Sequence, residues 1–466
     1  LPNSLSKLFF ATFTVMSIIL AQTLPAYAQS LLRDTEIEET LRDYTTPILQ
    51  AAGLTPSSVD LYLVNDASLN AFVTRGQNIF LHSGIILESD TPNQLKGVIA
   101  HEAGHIAGGH IVRSDYGNRS AYGAILIAAG IGIAAILAGE TQAGALVLGG
   151  SQQFGVIEAL AYSRVNESAA DQYAAEYMER TGQSAQGLID FFDKFRAQEV
   201  LSQARRYPYF RGHPLSADRI DALRERVEES DYTHKIDTED HQHRLDMAKA
   251  KLRGFLDGPQ LVFSYYPPSD TSKPARYARA VAHFKGADLG NAIKEIDSLI
   301  AEEPENAYFY ELKAQILYES GQGPKSIAPA EQALALRPDS PLLKLALAQA
   351  LLESSEPPKV EKSVKLLKSA LQTEPQNSFM WYTLSRAYGE LNQEPLAKYA
   401  VAEQAYAVGD VLRARSFAKR AQEDLPRNEP QWRRASDIIV ISDAELAKKR
   451  SKRRKRKPLT FNTTQR

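Results

Sequence analysis

Three prolines constrain the C-terminal half of this chain more than any other feature. Pro304 and Pro338 stand 34 residues apart and Pro375 follows after 37. A 34-residue period is that of a stacked helix-turn-helix repeat. A pair of helices this short cannot bury its small residues alone, so each pair must stack on the next into a curved solenoid with a concave binding face. Ala292 and Ile296 precede Pro304 where the second helix of a unit carries its packing residues. Trp381, Leu384, Tyr388 and Ala397 recover the spacing of one unit, and Ala414, Ala418, Ala421 and Pro426 the back half of another. Lys344 stands where an aromatic is usual, and the longer third interval predicts an insertion around 354–359. A generic helical domain is the plain alternative.

The N-terminal half turns on His101-Glu102-Ala103-Gly104-His105. On an α-helix, positions i and i+4 lie about 40° apart around the axis and one turn apart along it. Both imidazoles therefore reach one metal ion, with Glu102 beside the water on that ion. Residues 94–100 have the apolar spacing of a buried helix entering the motif. A third protein ligand is required. A histidine six residues on would complete a metzincin site, but position 111 is Ile and His110 is off by one. A carboxylate on a later helix is the other common solution. Glu167 and Asp171 sit four apart on one helical face, so Glu167 can bind the metal while Asp171 accepts the second ring N–H of a ligand histidine and fixes its tautomer. Two solvated acids on a surface helix are the bland reading of that pair.

Ile99–His110, Ser163–Asp171, Gly212-His213-Pro214-Leu215 with Arg219-Ile220, and the upstream Asn70–Val73 and Ile79–Gly84 occur in an order and spacing that resembles the HtpX/prenyl-protease superfamily of zinc metallopeptidases. The resemblance implies a mainly α, gluzincin-type domain with a small β-hairpin or sheet, holding one Zn²⁺ per chain. It makes His101, His105 and Glu167 the zinc ligands, Glu102 the general base and Asp171 the outer partner of a ligand histidine. It gives His213 the metal's open position, as a gate, and sets Arg219 near the scissile carbonyl, where it would stabilise the oxyanion. By analogy Asn70, Ala71, Phe72 and Val73 form an edge strand that pairs with an extended substrate; an ordinary half-buried hairpin is the alternative. From the residues alone, two histidines and a carboxylate also suit other first-row ions.

Lys7, the apolar run 8–20, Pro25 and Ala26-Tyr27-Ala28 read as a secretory signal cleaved after residue 28, with an uncleaved anchor as the alternative. Zero cysteines exclude a disulfide framework and a thiolate metal site. Export without cysteine suits a bacterial periplasm. The remaining chain is too long for one core. We expect a metallopeptidase domain at 29–229, a helical connector at 230–272, a tetratricopeptide-type α-solenoid at 273–428 and a basic tail at 429–466. Residues 121–150 are apolar and glycine-containing. They are read as a lid over the cleft, a buried helical hairpin or a membrane span being the other readings. His241 and His243 in the connector are expected to be solvated. Nine of ten residues at 448–457 are Lys or Arg, leaving about −11 on the rest of a chain whose net charge is −2. Such a run is expected to be solvated and disordered, with docking on anionic headgroups at the outer membrane as the further option. Nucleic-acid binding fits the charge but not the compartment.

The expected function is zinc-dependent endopeptidase activity in the periplasm. Carried by the resemblance and the repeats, the expected clients are misfolded or stalled outer-membrane proteins, with the β-barrel assembly machinery as partner. A chaperone or adaptor with little proteolysis, and a membrane-embedded protease, are the competing readings.

Overall fold

A computed structural model describes residues 31–110, 164–201, 213 and 215–455. The expected signal at 1–28, the apolar stretch 121–150 and the end of the basic run lie outside the described residues. Helix α1 (Thr35–Ala51) opens on Asp34, whose side chain accepts from the Ile37 amide, and closes before Gly53, whose φ of 71° only glycine adopts without strain. The sheet that follows has the order β1-β2-β4-β3, from β1 (Leu31–Leu32), β2 (Asp60–Val64), β3 (Ala71–Thr74) and β4 (Asn78–His82). Strand β2 runs parallel to β4, and β3 antiparallel to it across a turn containing Gly76 at φ 87°. Alternation sorts the faces. Leu63, Ile79, Leu81, Ala71 and Val73 enter the core, while Tyr62, Phe80 and Phe72 stack across three strands with ring centroids 4.9 Å apart.

Helix α2 (Ser83–Glu88) leads into α3 (Pro92–Ala107), which carries the metal motif. Thr91 caps α3 by accepting from the Gln94 amide, and Pro92 occupies the first turn, where no N–H is required. From Pro92 to His105 all but Asn93 are buried, because α3 is enclosed by α1, by α4 (Arg164–Arg180) and by α5 (Gln186–Leu201). Two glycines permit that enclosure. A Cβ on Gly97 would meet the backbone of Leu188 at 2.9 Å, and one on Gly104 would meet the Ala170 carbonyl at 3.0 Å. Helix α6 (Ala217–Glu228) completes this layer.

Helices α7 (Glu239–Leu256) and α8 (Pro259–Tyr265) form the connector. His241 is not solvated as expected: its Nδ1 lies 2.9 Å from Lys96 Nζ on α3, which also donates to Asp237 Oδ1 at 2.6 Å. The buried Lys96 ammonium draws in both partners, a long-range contact that local helical spacing does not register.

Ten helices follow: α9 (Lys273–Lys285), α10 (Leu289–Glu302), α11 (Ala307–Glu319), α12 (Gly323–Leu336), α13 (Pro341–Leu352), α14 (Pro357–Thr373), α15 (Ser378–Glu390), α16 (Glu394–Ala407), α17 (Val411–Asp424) and α18 (Pro430–Lys455). The pairs open at Lys273, Ala307, Pro341, Ser378 and Val411, reproducing the period read from the prolines. Ala292, Ala414, Ala418 and Ala421 are fully buried between stacked helices. The insertion is displaced from its expected place: the first-to-second helix offset is unchanged at Pro357, and the extra residues lengthen α14 to 17 residues against 14 in α10 and α12. Helix α18 continues through Lys455, into the run expected to be disordered. Ala, Glu, Leu and Lys at 444–449 favour helix, and no Gly or Pro intervenes before Pro458.

The N-terminal segment is fastened to the repeats by buried charge. Lys251 on α7 is 1% exposed. Its Nζ lies 2.6 Å from Asp34 Oδ2, 3.4 Å from Glu36 Oε2 and 3.5 Å from Glu311 Oε2. The Tyr277 hydroxyl donates to Glu36 at 2.8 Å, and Arg33 Nη2 meets Glu374 Oε1 at 2.6 Å. Among the described residues no helix is long and apolar enough to cross a membrane.

Candidate metal centre

Helix α3 presents His101 and His105 one turn apart, and their Nε2 atoms converge to 3.1 Å. Helix α4 supplies Glu167, with Oε2 3.5 Å from His101 Nε2 and Oε1 3.4 Å from His105 Nε2. From the segment before α6, His213 brings Nδ1 to 3.2 Å from His101 Nε2 and 3.1 Å from Glu167 Oε2. All four side chains are buried, and their ligand atoms lie within 4.8 Å of one another.

This donor set fits a metal ion. With bonds of about 2.0–2.2 Å, tetrahedral ligands stand roughly 3.3–3.6 Å apart, and the contacts just given run from 3.1 to 3.5 Å. Both Glu102 oxygens and Glu167 Oε1 are buried with no hydrogen-bond partner among the described residues, as expected of groups whose partners would be a cation and its water.

The surrounding carboxylates and cations set the electrostatics. Asp171 Oδ1 lies 2.9 Å from His101 Nδ1, the nitrogen turned away from the cluster. Arg219 grips the same carboxylate, Nε to Oδ2 at 2.7 Å and Nη2 to Oδ1 at 2.9 Å, and its Nη1 reaches Glu167 Oε2 at 3.3 Å. Burial opposes charge on His101, but Asp171 and Glu167 outweigh it and push the imidazole up to about 9. Burial and the neighbouring His101 hold His105 well below its ordinary range. Burial would raise Glu167, but His213 and His101 override it and hold the carboxyl low. Glu102 is raised, chiefly by burial, with His213 Nε2 3.5 Å from Oε1. The result is one carboxylate held anionic beside a second of increased basicity, the pairing that general-base chemistry uses.

Of the residues singled out in the sequence, His101, Glu102, His105, Glu167, Asp171, His213 and Arg219 thus lie in one buried cluster. Arg219 directs its guanidinium at Asp171 and Glu167, and its Cζ lies 5.8 Å from the Phe192 ring centroid. Asn70, Ala71, Phe72 and Val73 lie at and just before β3, which ends the strand order and packs on α3; their side chains are buried. Sequence reasoning set His110 aside for its spacing. It is 4% exposed, with Nδ1 3.0 Å from His105 Nδ1. The signal that would have found it is the Gly108-Gly109 pair before it, which lets the chain double back.

Residues 32–227 match the sequence profile of peptidase family M48. The chain is 24% identical over 402 residues to the beta-barrel assembly-enhancing protease of Escherichia coli (strain K12), covering 85% of this chain and 80% of that protein. A protein of the same name from Yersinia pestis is 24% identical over 333 residues, 70% of this chain and 67% of the relative. The metalloprotease YcaL of E. coli (strain K12) is 30% identical over 176 residues, 37% of this chain and 63% of its own length.

Proposed function

We propose, from the match of residues 32–227 to peptidase family M48 and from the relatives named metalloproteases, that this metalloprotease is a zinc-dependent endopeptidase of the periplasm acting in quality control and assembly of outer-membrane β-barrel proteins. The observation that carries the peptidase chemistry is the convergence of His101 Nε2, His105 Nε2 and the Glu167 carboxylate beside a buried Glu102 whose oxygens have no hydrogen bond among the described residues. Zinc, when bound there, supplies a Lewis acid for the scissile carbonyl and lowers the pKa of its water. Glu102 takes the proton of the attacking water and passes it to the leaving amine. Asp171 keeps His101 in the Nε2-ligating tautomer, and Arg219 holds Asp171 and Glu167 in place. The oxyanion role for Arg219 and the pairing of substrate with residues 70–73 draw on the superfamily resemblance. In the same reading the helical repeats bind clients, and the basic run at 448–457 offers a peripheral contact with anionic membrane surfaces.

The compartment and clients draw on the expected export signal and on the relatives named for β-barrel assembly. His213 supports a gate. With Nδ1 beside both His101 and Glu167 it would take the fourth ligand position of a bound metal, the one a catalytic site keeps open. The same contact favours a second reading, a periplasmic chaperone or adaptor with little proteolysis. Casein cleavage by the purified protein separates the cases, with Glu102→Gln as the blank. Greater cleavage by His213→Ala than by wild type supports protease and gate together. Equal, Glu102-dependent cleavage keeps the protease and discards the gate. Metal binding without cleavage in any variant favours the chaperone.

A further inference from the structure

We propose that His110 is a positioning residue of the metal centre, holding His105 in the tautomer that ligates through Nε2. The inference rests on the reading of His101, His105 and Glu167 as metal ligands. His105 turns Nε2 toward His101 and Glu167 and turns Nδ1 away from them, to 3.0 Å from His110 Nδ1. A neutral imidazole has one N–H, and ligation through Nε2 places it on Nδ1. His105 Nδ1 therefore donates, His110 Nδ1 accepts, and the His110 proton resides on Nε2. The ring centroids lie 5.1 Å apart with their planes at 75°, so the two Nδ1 atoms face each other between the rings, an orientation that lets a ring N–H reach the in-plane lone pair of a ring nitrogen.

The backbone is shaped for this contact. Helix α3 ends as the Gly108 amide bonds to the Gly104 carbonyl, and Gly109 then takes φ 65°, which reverses the chain within one residue. His110 is thereby laid against Gly108: a Cβ there would stand 2.6 Å from His110 Nε2 and 2.8 Å from Cε1. Gly108 clears the space and Gly109 supplies the turn. The ligand histidines consequently have outer partners of different charge, the Asp171 carboxylate on His101 and a neutral imidazole on His105. A carboxylate makes its partner the stronger electron donor, so the site separates the two ligands electronically.

The test measures zinc affinity by chelator competition, and the visible absorption of the Co²⁺-substituted protein, for wild type, His110→Ala, His110→Asn and Gly108→Ala. Loss of an outer partner lowers metal affinity about 10- to 100-fold. That loss, with a changed cobalt spectrum, is expected for His110→Ala and Gly108→Ala, whereas the Asn side-chain oxygen accepts the same proton and recovers most of the affinity. Zinc affinity of His110→Ala within about twofold of wild type, with the wild-type cobalt spectrum, overturns the proposal. Should His110→Ala not fold, His110→Phe fills the volume without accepting a proton, and equal affinities for Phe and Asn overturn it. A folded wild type that binds neither metal overturns the reading of the centre itself, and the proposal with it.

Discussion

Arg219 and Asp171 are joined by two parallel hydrogen bonds, Nε to Oδ2 and Nη2 to Oδ1, away from solvent and directly behind His101. Removing one partner of a buried ion pair leaves the other charged and unsolvated, a loss of about 3–5 kcal/mol. Arg219→Met is expected to lower unfolding stability by that amount in urea titration and to weaken metal binding in the folded fraction. Asp171→Asn, which keeps the shape but presents a neutral amide, is expected to cost comparable stability and also to weaken metal binding, because an amide no longer strengthens His101 as an electron donor.

Gly104 sets how closely α3 approaches α4. An alanine there would press on Ala170 O at 3.0 Å and on Tyr173 Cβ at 3.2 Å, forcing apart the helices that carry His105 and Glu167. Gly104→Ala is expected to cost about 1–3 kcal/mol of stability and to reduce zinc affinity at least tenfold, while Gly389→Ala, at a site with nothing within 4 Å of the added carbon, leaves metal affinity unchanged. Competition with a chelator measures both.

His82 gives a pH signature outside the metal cluster. Burial lowers it, only partly opposed by Asp66 3.8 Å away, to about 4, and Ser68 Oγ stands 2.9 Å from its Nδ1. With the folded value below the unfolded one near 6.5, the unfolded chain takes up the proton first. Stability is therefore full above about pH 6.5 and falls as pH drops toward 4, by up to ~3 kcal/mol. His82→Gln is expected to flatten that part of the stability curve, read as the difference between wild type and variant in urea midpoints across pH 4–7.

Much of this was legible because the relevant signals are local. The i, i+4 histidines, the Glu167/Asp171 face and the proline period each specify a helix face or a repeat length, and helix pairs open at the predicted intervals. Contacts formed across long sequence separations were not legible. His241 looked solvated because nothing near it in sequence reveals the Lys96 ammonium, and His110 was dismissed by spacing rules that assume continuous helix where Gly108 and Gly109 end it. Arg219 drew attention only through resemblance, whereas its fork on Asp171 is a tertiary fact. The insertion was misplaced because Ser354-Ser355 resembles a loop, while α14 absorbs extra residues at no cost to the helix pairing.

The Lys251 cluster predicts how the repeats are fastened. Lys251→Met would strand Asp34, Glu36 and Glu311 without their shared cation, destabilising the protein by about 3–5 kcal/mol. Limited proteolysis is expected to cut within 257–272 faster than in wild type. Adding Glu311→Gln, which removes one of the stranded charges from a carboxyl that burial already raises, is expected to recover part of the loss. Equal cutting rates in all three would show that the apolar packing around Tyr277 and Phe309 fastens the domains without the charges.

The contacts at the two ends of this seam also impose an order in time. Arg33 is made at the start of the described chain, yet its partner Glu374 is 341 residues away. The N-terminal segment can therefore close on the solenoid only after a loop of that length has shut, and long loops are slow to shut. The start of α1 is therefore among the last parts of the fold to be finished.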